Sequence, residues 1–419
     1  MNLIKWSNGK KILFRIFFSY YFFYLFPFPL DHLPFGIGDG ISNLVGGFWN
    51  WFNHLVKINL FKIIKDFPPG MGSGDTMSQY ISVTSRIILT IITSIIWTFI
   101  DWKKFNYIKL YKYQLVILRY FLAFILISYG MMKLFLNQFS YLSLFDLIKP
   151  YGDSSPMALL WNFMEYSPTY SIFSGLVEFI AGLLLLFRKT TKLGALLGFG
   201  ALLNVFILNM SFDVPVKLFS FHLVITAFLI LLPFSSELLK FFILNKPIES
   251  NNIKPYFSNR RYNNLGYILK GILVLSVIYQ SYSDQIESQK DYGIQSPYPD
   301  LYGIYNVVEF KKNNERIVPL TTDTLRWKKL IIDKRKSGIV QMNDQVEFFR
   351  NETDTVRRTI SLTSKENPSN LFKLNYKEEN GQLLLYNDIF NIKLIKIDRK
   401  DFLLINRGFR WVSETSFNR

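Results

Sequence analysis

Seven stretches of the chain are apolar over a length that approaches a bilayer crossing: residues 11–29, 80–100, 113–135, 168–187, 193–212, 216–234 and 264–282. A helix needs about 20 apolar residues to cross hydrocarbon. The pattern therefore predicts a polytopic α-helical membrane protein. From residue 302 the period changes. Short apolar runs at 302–310, 325–333, 338–342, 356–363, 372–376, 382–386, 391–397 and 402–405 are separated by polar turns. Turn signals are Asn313-Asn314, Asn367-Pro368, Asn380-Gly381 and Arg407-Gly408. Short strands at about 8–12-residue spacing predict an antiparallel barrel or sandwich, with a small calycin-like barrel preferred.

The pattern divides the chain into four parts. Residues 1–112 hold two N-terminal helices joined by a long amphipathic loop, 113–240 a four-helix bundle, 241–283 a polar linker and a seventh helix, and 284–419 the β-rich domain. In the first loop, residues 46–65 place Phe48, Trp49, Trp51, Phe52, Leu55 and Val56 as an amphipathic helix on a membrane surface would. The loop then runs through Pro68-Pro69-Gly70-Met71-Gly72-Ser73-Gly74-Asp75-Thr76. That run reads either as backbone N–H groups offered to an anion or as a turn in which Asp75 or Thr76 caps the next helix. Residues 157–164, between Pro156 and Pro168, read as a short interfacial or re-entrant helix suited to lid a cavity or to anchor at the surface.

Charge fixes an expected orientation. The net charge is +17, but residues 282–419 hold 23 Lys+Arg against 19 Asp+Glu, so +13 belongs to the membrane half and nucleic acid is not the expected partner. With the N-terminus inside, the inner segments carry 16 basic residues: Lys5, Lys10, Lys11, Arg15, Lys103, Lys104, Lys109, Lys112, Arg188, Lys189, Lys192, Lys240, Lys246, Lys254, Arg260 and Arg261. The outer segments carry five: Lys57, Lys62, Lys65, Lys149 and Lys217. Basic loops stay cytoplasmic, so the β-domain is expected outside, in a bacterium in the periplasm. The first helix, which opens on Lys10-Lys11 and lacks a small-residue cleavage site, reads as a retained signal anchor.

Candidate chemistry lies within the helices. Cysteine is absent, which excludes disulfides, thiolate nucleophiles and Cys-ligated metal centres in this chain. The three histidines, His32, His54 and His222, have no metal-ligand spacing, and no metal site is expected. Ionisable side chains inside a membrane are costly and mark candidate sites. Lys133, Glu178, His222, Asp213 and Lys217 form a candidate catalytic cluster in the outer halves of the third to sixth helices, with Tyr129, Asn204 and Asn209 as candidate cofactor-binding groups. Such a cluster offers a quinone headgroup a donor, an acceptor and a proton route. The structural readings are snorkelling of Arg119 and Lys133 to opposite interfaces, Asp213 as a cap, and Glu178 paired with Lys133 or His222 to hold the bundle together. Gly175, Ala181, Gly182, Gly194, Gly198 and Ala201 favour close helix packing.

The sequence Ser128-Tyr129-Gly130-Met131-Met132-Lys133-Leu134, followed by Gly175-Leu176-Val177-Glu178-Phe179-Ile180-Ala181-Gly182, resembles the DoxX/DoxD-like membrane proteins. These carry a Gly-x-x-Lys at the end of one helix and a Glu-x-x-x-Gly in the next. The positions matched are Gly130 and Lys133, then Glu178 and Gly182, and the likeness covers about 113–235. It implies a four-helix bundle associated with redox or assembly complexes, including a subunit linked to thiosulfate:quinone oxidoreduction. A looser architectural likeness runs to vitamin K-dependent carboxylase-like proteins, without a carboxylase motif. Three functions stay open. One is a quinone-linked membrane redox protein or its subunit. Another is a non-enzymatic anchor whose β-domain docks a cell-envelope complex. The third is a transporter or lipid-handling protein, for which the inverted repeats expected are absent.

Overall fold

The computed structural model describes residues 5–33, 35–67, 74–248, 258–379 and 381–417. Pro68 to Ser73, Lys254 and Asn380, which entered the sequence argument, lie outside these residues. The chain forms two compact units, one of Met1–Phe139 with Ser155–Glu287 and one of Ser140–Ser154 with Ser288–Arg419.

The first unit is helical. It contains α1 (Asn8–Leu25), α2 (Ile37–Asn59), α3 (Met77–Ile100) and α4 (Ile108–Leu134). A short helix of the second unit, α5 (Leu144–Ile148), comes next in the chain. The helical unit continues with α6 (Pro156–Tyr166), α7 (Pro168–Leu186), α8 (Thr191–Ser211), α9 (Lys217–Leu231), α10 (Ser235–Phe242) and α11 (Arg260–Asp291). Among the described residues, seven segments are long and apolar enough to cross a membrane: Asn8–His32, α3, α4, α7, α8, Lys217–Phe242 and α11. Their exposed residues include Ile91, Ile95, Phe99, Ile207, Ile268, Ile272 and Leu275. Faces of this kind match hydrocarbon. The amphipathic helix of the first loop starts earlier than its apolar stripe and ends sooner, at Asn59. Gly38 allows that start, because a Cβ there would meet the Asp31 carbonyl oxygen at 2.2 Å.

Local chemistry sets the helix ends. Ser155-Pro156 and Ser167-Pro168 each place a serine at the N-cap and a proline at the first turn. Ser155 Oγ accepts from the Ala158 N–H and Ser167 Oγ from the Tyr170 N–H. This satisfies donors that have no partner within the helix. Between α9 and α10 the helix tightens to a 3₁₀ turn over Leu232–Phe234, where Pro233 supplies no N–H. The core gathers Leu118, Leu122, Leu126 and Ile127 of α4, Ala181 and Leu185 of α7, Leu202 of α8 and Ala227 of α9. Tyr21 of α1 and Val277 of α11 join it.

The second unit is a closed antiparallel barrel. Its strands are β1 (Gly303–Lys312), β2 (Glu315–Arg316), β3 (Trp327–Ile332), β4 (Ser337–Gln341), β5 (Val346–Asp354), β6 (Thr359–Ser364), β7 (Leu371–Glu379), β8 (Gln382–Tyr386) and β9 (Phe390–Ile397). Consecutive strands pair from β3 to β9, β3 pairs with β1, and β1 pairs with β9 from Ile304↔Ile397 to Lys312↔Phe390, closing eight strands. The two-residue β2 folds back on β1 through Asn313-Asn314, both at positive φ, as a tight hairpin requires. Phe310, Trp327, Leu330, Phe349, Ile360, Leu374, Leu385 and Ile392 fill the interior. On the outer face, Ile304, Ile331 and Val340 are covered by Leu144 and Phe145 of α5. The Leu144 N–H donates to Asp333 Oδ2 at 2.9 Å, Arg399 donates to the Leu142 carbonyl, and Arg335 to Ser140 Oγ. Gly338 is required there, because a Cβ would lie 2.8 Å from the Phe145 ring. Burial and the nearby Asp333 carboxylate push the hydroxyls of Tyr141 and Tyr302 up to about 12.

Two strand expectations need correction. Residues 402–405 form no strand: Phe402 is the N-cap of the four-residue helix α12 (Leu403–Asn406), which follows a 3₁₀ turn over Arg399–Asp401. A run of four residues has no resolvable period. The run expected at 356–363 begins only at Thr359, and a full strand, β5, precedes it. Beyond Phe349 that strand is polar on both faces, so alternation does not reveal it.

Candidate functional site

The bundle encloses a cavity of about 240 Å³ between α4, α6, α7, α8 and α9. Leu126, Leu160, Trp161, Met164, Val177, Leu208 and Phe219 form much of its wall. Lys133, Glu178, Tyr129, Asn204 and Asn209 also line it. Five of the eight residues singled out from the sequence therefore converge on one space.

A buried ion pair is set in its wall. Lys133 Nζ lies 2.6 and 2.5 Å from the two Glu178 carboxylate oxygens, and the side chains are 7% and 5% exposed. Glycines create the contact. A Cβ on Gly130 would sit 2.7 Å from the Phe179 nitrogen, and one on Gly175 would sit 2.7 Å from the Lys133 Cβ. Without side chains at these positions, α4 and α7 meet backbone to backbone. One turn beyond Glu178, Gly182 faces the Ala123 carbonyl at a Cβ distance of 2.8 Å. The Gly-x-x-Lys and Glu-x-x-x-Gly spacings thus describe one object: a small-residue seam that seats a carboxylate on an ammonium. Lys133 turns inward to Glu178 and does not snorkel.

The remaining polar groups surround the pair. Asn209 Nδ2 donates to Ser220 Oγ at 3.1 Å, and both are buried. Asn204 lines the cavity while remaining exposed. Gln138 and Ser174, polar residues with no charge to mark them in the sequence, also reach it, and among the described residues the buried Gln138 Oε1 has no hydrogen-bond partner. Trp161 packs edge-on against Phe139 at 5.3 Å. With Leu160 and Met164 it makes α6 one wall of the space.

Three expected members lie elsewhere. His222 does not line the cavity. Its Nδ1 donates to the Leu218 carbonyl at 2.6 Å, which leaves Nε2 to accept from the Tyr20 hydroxyl at 2.5 Å, and its ring stacks on Tyr24 at 4.4 Å. Helical geometry explains this: two of the α9 cavity residues, Ser220 and Leu223, lie two residues before and one after His222, spacings that do not share a helix face. Asp213 has a side chain 81% exposed and pairs with Lys217 at 2.7 Å. Neither lines the cavity. Asp213 does not cap α9. Asp75 does so across the fold, its carboxylate accepting from the backbone N–H groups of Lys217 and Leu218 at 2.7 and 2.9 Å. Thr76 is the N-cap residue of α3.

No family model matches the chain, and no solved structure does. A curated relative does match: the uncharacterized protein YwoB of Bacillus subtilis (strain 168) is 30% identical over 135 residues, 32% of this chain and 85% of that protein. The chain belongs to the YwoB family. The shared stretch is a third of the chain, so the YwoB family accounts for one segment of a larger architecture.

Proposed function

We propose that the bundle of α4, α7, α8 and α9 binds the headgroup of a quinone and acts as a DoxX-like membrane subunit of a quinone-linked redox complex. The observation that carries this reading is the Lys133–Glu178 pair set in the wall of an otherwise largely apolar cavity. Ligand sites of this type combine apolar walls with a few convergent polar groups. The residues fit such a ring. Lys133 would donate to a ring oxygen, Glu178 would hold or accept a proton, and the Asn209 amide adds a further polar contact. Leu160, Trp161 and Met164 would cover the ring faces. At about 240 Å³ the space suits a headgroup, with the isoprenoid tail left to the lipid. A bound quinone would supply two-electron acceptor chemistry, with a separate protein as electron donor. By the distribution of basic loops, the proposed location is the bacterial cytoplasmic membrane, with the N-terminus inside and the barrel in the periplasm.

The test is titration of the purified full chain with a short-chain quinone, read by quenching of tryptophan fluorescence. Saturable quenching is expected, weakened at least ten-fold in Glu178→Gln and reduced in amplitude in Trp161→Phe. An absence of saturable binding defeats the proposal.

A second reading, an anchor whose barrel docks a cell-envelope protein, draws on the barrel itself. Its interior is filled by side chains, and Phe409, Trp411 and Val412 are each more than 80% exposed. Native purification that yields the chain with no stoichiometric partner would count against this reading. The filled interior also weighs against a barrel that carries an apolar ligand.

A further inference from the structure

Among the described residues Arg119 is a charge without a counter-charge. It lies on α4 and is 7% exposed. Its described hydrogen bond is a single long one, Nη1 to Thr191 Oγ1 at 3.3 Å, and its buried Nε has no partner. Its guanidinium carbon is 5.0 Å from the centre of the Tyr120 ring. Lys270 of α11 approaches the same ring at 5.9 Å and the Phe187 ring at 4.8 Å, and donates to the Leu186 carbonyl at the C-terminal end of α7. Two cations of different helices therefore flank one aromatic ring, at the level of the turn between α7 and α8. Among the described residues neither makes an ion pair, and Glu237 is paired with Lys192.

A buried guanidinium that keeps most of its donors unused is expensive unless an anion satisfies them. Arg recognises phosphate through paired N–H groups, and Lys as a point charge. Basic pockets between helices at a membrane surface suit anionic headgroups. We propose that Arg119 and Lys270, with Thr191 and the Tyr120 ring, form a binding site for the phosphate group of an anionic phospholipid. This site is separate from the cavity at Lys133 and Glu178, and the proposal does not depend on the function assigned to that cavity.

The experiment uses the purified full chain in detergent. It is stripped of lipid and titrated separately with phosphatidylglycerol, phosphatidylcholine and inorganic phosphate, with retained lipid read by native mass spectrometry and stability by thermal unfolding. Phosphatidylglycerol is expected to be retained and to raise the unfolding midpoint, whereas phosphatidylcholine is not. Arg119→Gln and Lys270→Gln should each weaken retention about ten-fold, the loss of one charge-assisted bond, and Lys312→Gln on the barrel should not. Lys270 is only half-buried, so K270Q decides the matter if R119Q fails to fold. Equal retention of both lipids, or retention unchanged in K270Q, overturns the proposal. An equal stabilisation by inorganic phosphate alone overturns the lipid as the source.

Discussion

Replacing Glu178 by Gln leaves Lys133 inside the bundle without its counter-ion. The geometry gives the scale. The pair is bidentate at 2.6 and 2.5 Å with both side chains more than nine-tenths buried. At an effective dielectric of about 20, unit charges roughly 3 Å apart attract by about 5 kcal/mol. Desolvating the two ions costs several kcal/mol each, so the pair as a whole contributes little net stability. Breaking it is different, because the surviving charge keeps its desolvation cost. Removing one partner of a buried pair costs about 3–5 kcal/mol. Glu178→Gln and Lys133→Met are each expected to lose about 3 kcal/mol. The double replacement Lys133→Met with Glu178→Leu should return to within about 1 kcal/mol of the parent. The assay is unfolding of the full chain in detergent for the four-member cycle, with quinone titration of each folded member. Single variants within about 0.5 kcal/mol of the parent, or a double variant that loses the sum of the singles, would refute the buried-pair argument. A double variant that regains stability but not ligand binding would separate the structural role of the pair from its binding role.

Other substitutions test the packing beside that pair and the remaining parts of the fold. Gly175→Ala would place a Cβ 2.7 Å from that of Lys133 and 2.8 Å from the Gly130 carbonyl. Thermal unfolding should show a loss of about 1–3 kcal/mol from overpacking. Phe145→Ala removes the ring that sits over Gly338 on the barrel wall. A loss of about 3–5 kcal/mol is expected, measured as a lowered denaturation midpoint of the full chain. His222→Phe removes a side chain that does not line the cavity, so quinone affinity should stay within two-fold, about 0.4 kcal/mol. A larger loss would place His222 in the site. Tyr141 and Tyr302 have folded values raised from 10.0 to about 12. Their stabilisation is fully present below pH 10 and is lost as the pH rises toward 12, because the unfolded chain ionises first. Alkaline unfolding followed by circular dichroism should start near pH 10, and Tyr302→Phe should flatten that slope.

Much of the architecture depends on short-range rules and was legible before the fold was known. Seven apolar stretches of bilayer length can bury their backbone polar groups only as helices, and Ser-Pro pairs set the starts of α6 and α7. Period-two alternation with Asn and Gly turns marked most of the barrel strands. The glycine spacing on α4 and α7 and the isolated Lys133 and Glu178 were visible as candidates, because a charge among apolar neighbours stands out in one dimension. Their pairing was not visible, because it depends on how closely two backbones approach. Rotation about a helix axis separated His222 from the cavity although its depth matched. Asp75 reached α9 from a loop 142 residues earlier, a contact no local pattern encodes. The same holds for α5, whose residues lie between two membrane helices in sequence and yet belong to the barrel, where Phe145 fills the space left by Gly338. The sequence by itself determined most of the helical and strand segments, since that rests on period and caps within a few residues. Only the tertiary structure decided which polar side chains share a low-dielectric space, since that rests on distances of a few ångströms between segments remote along the chain.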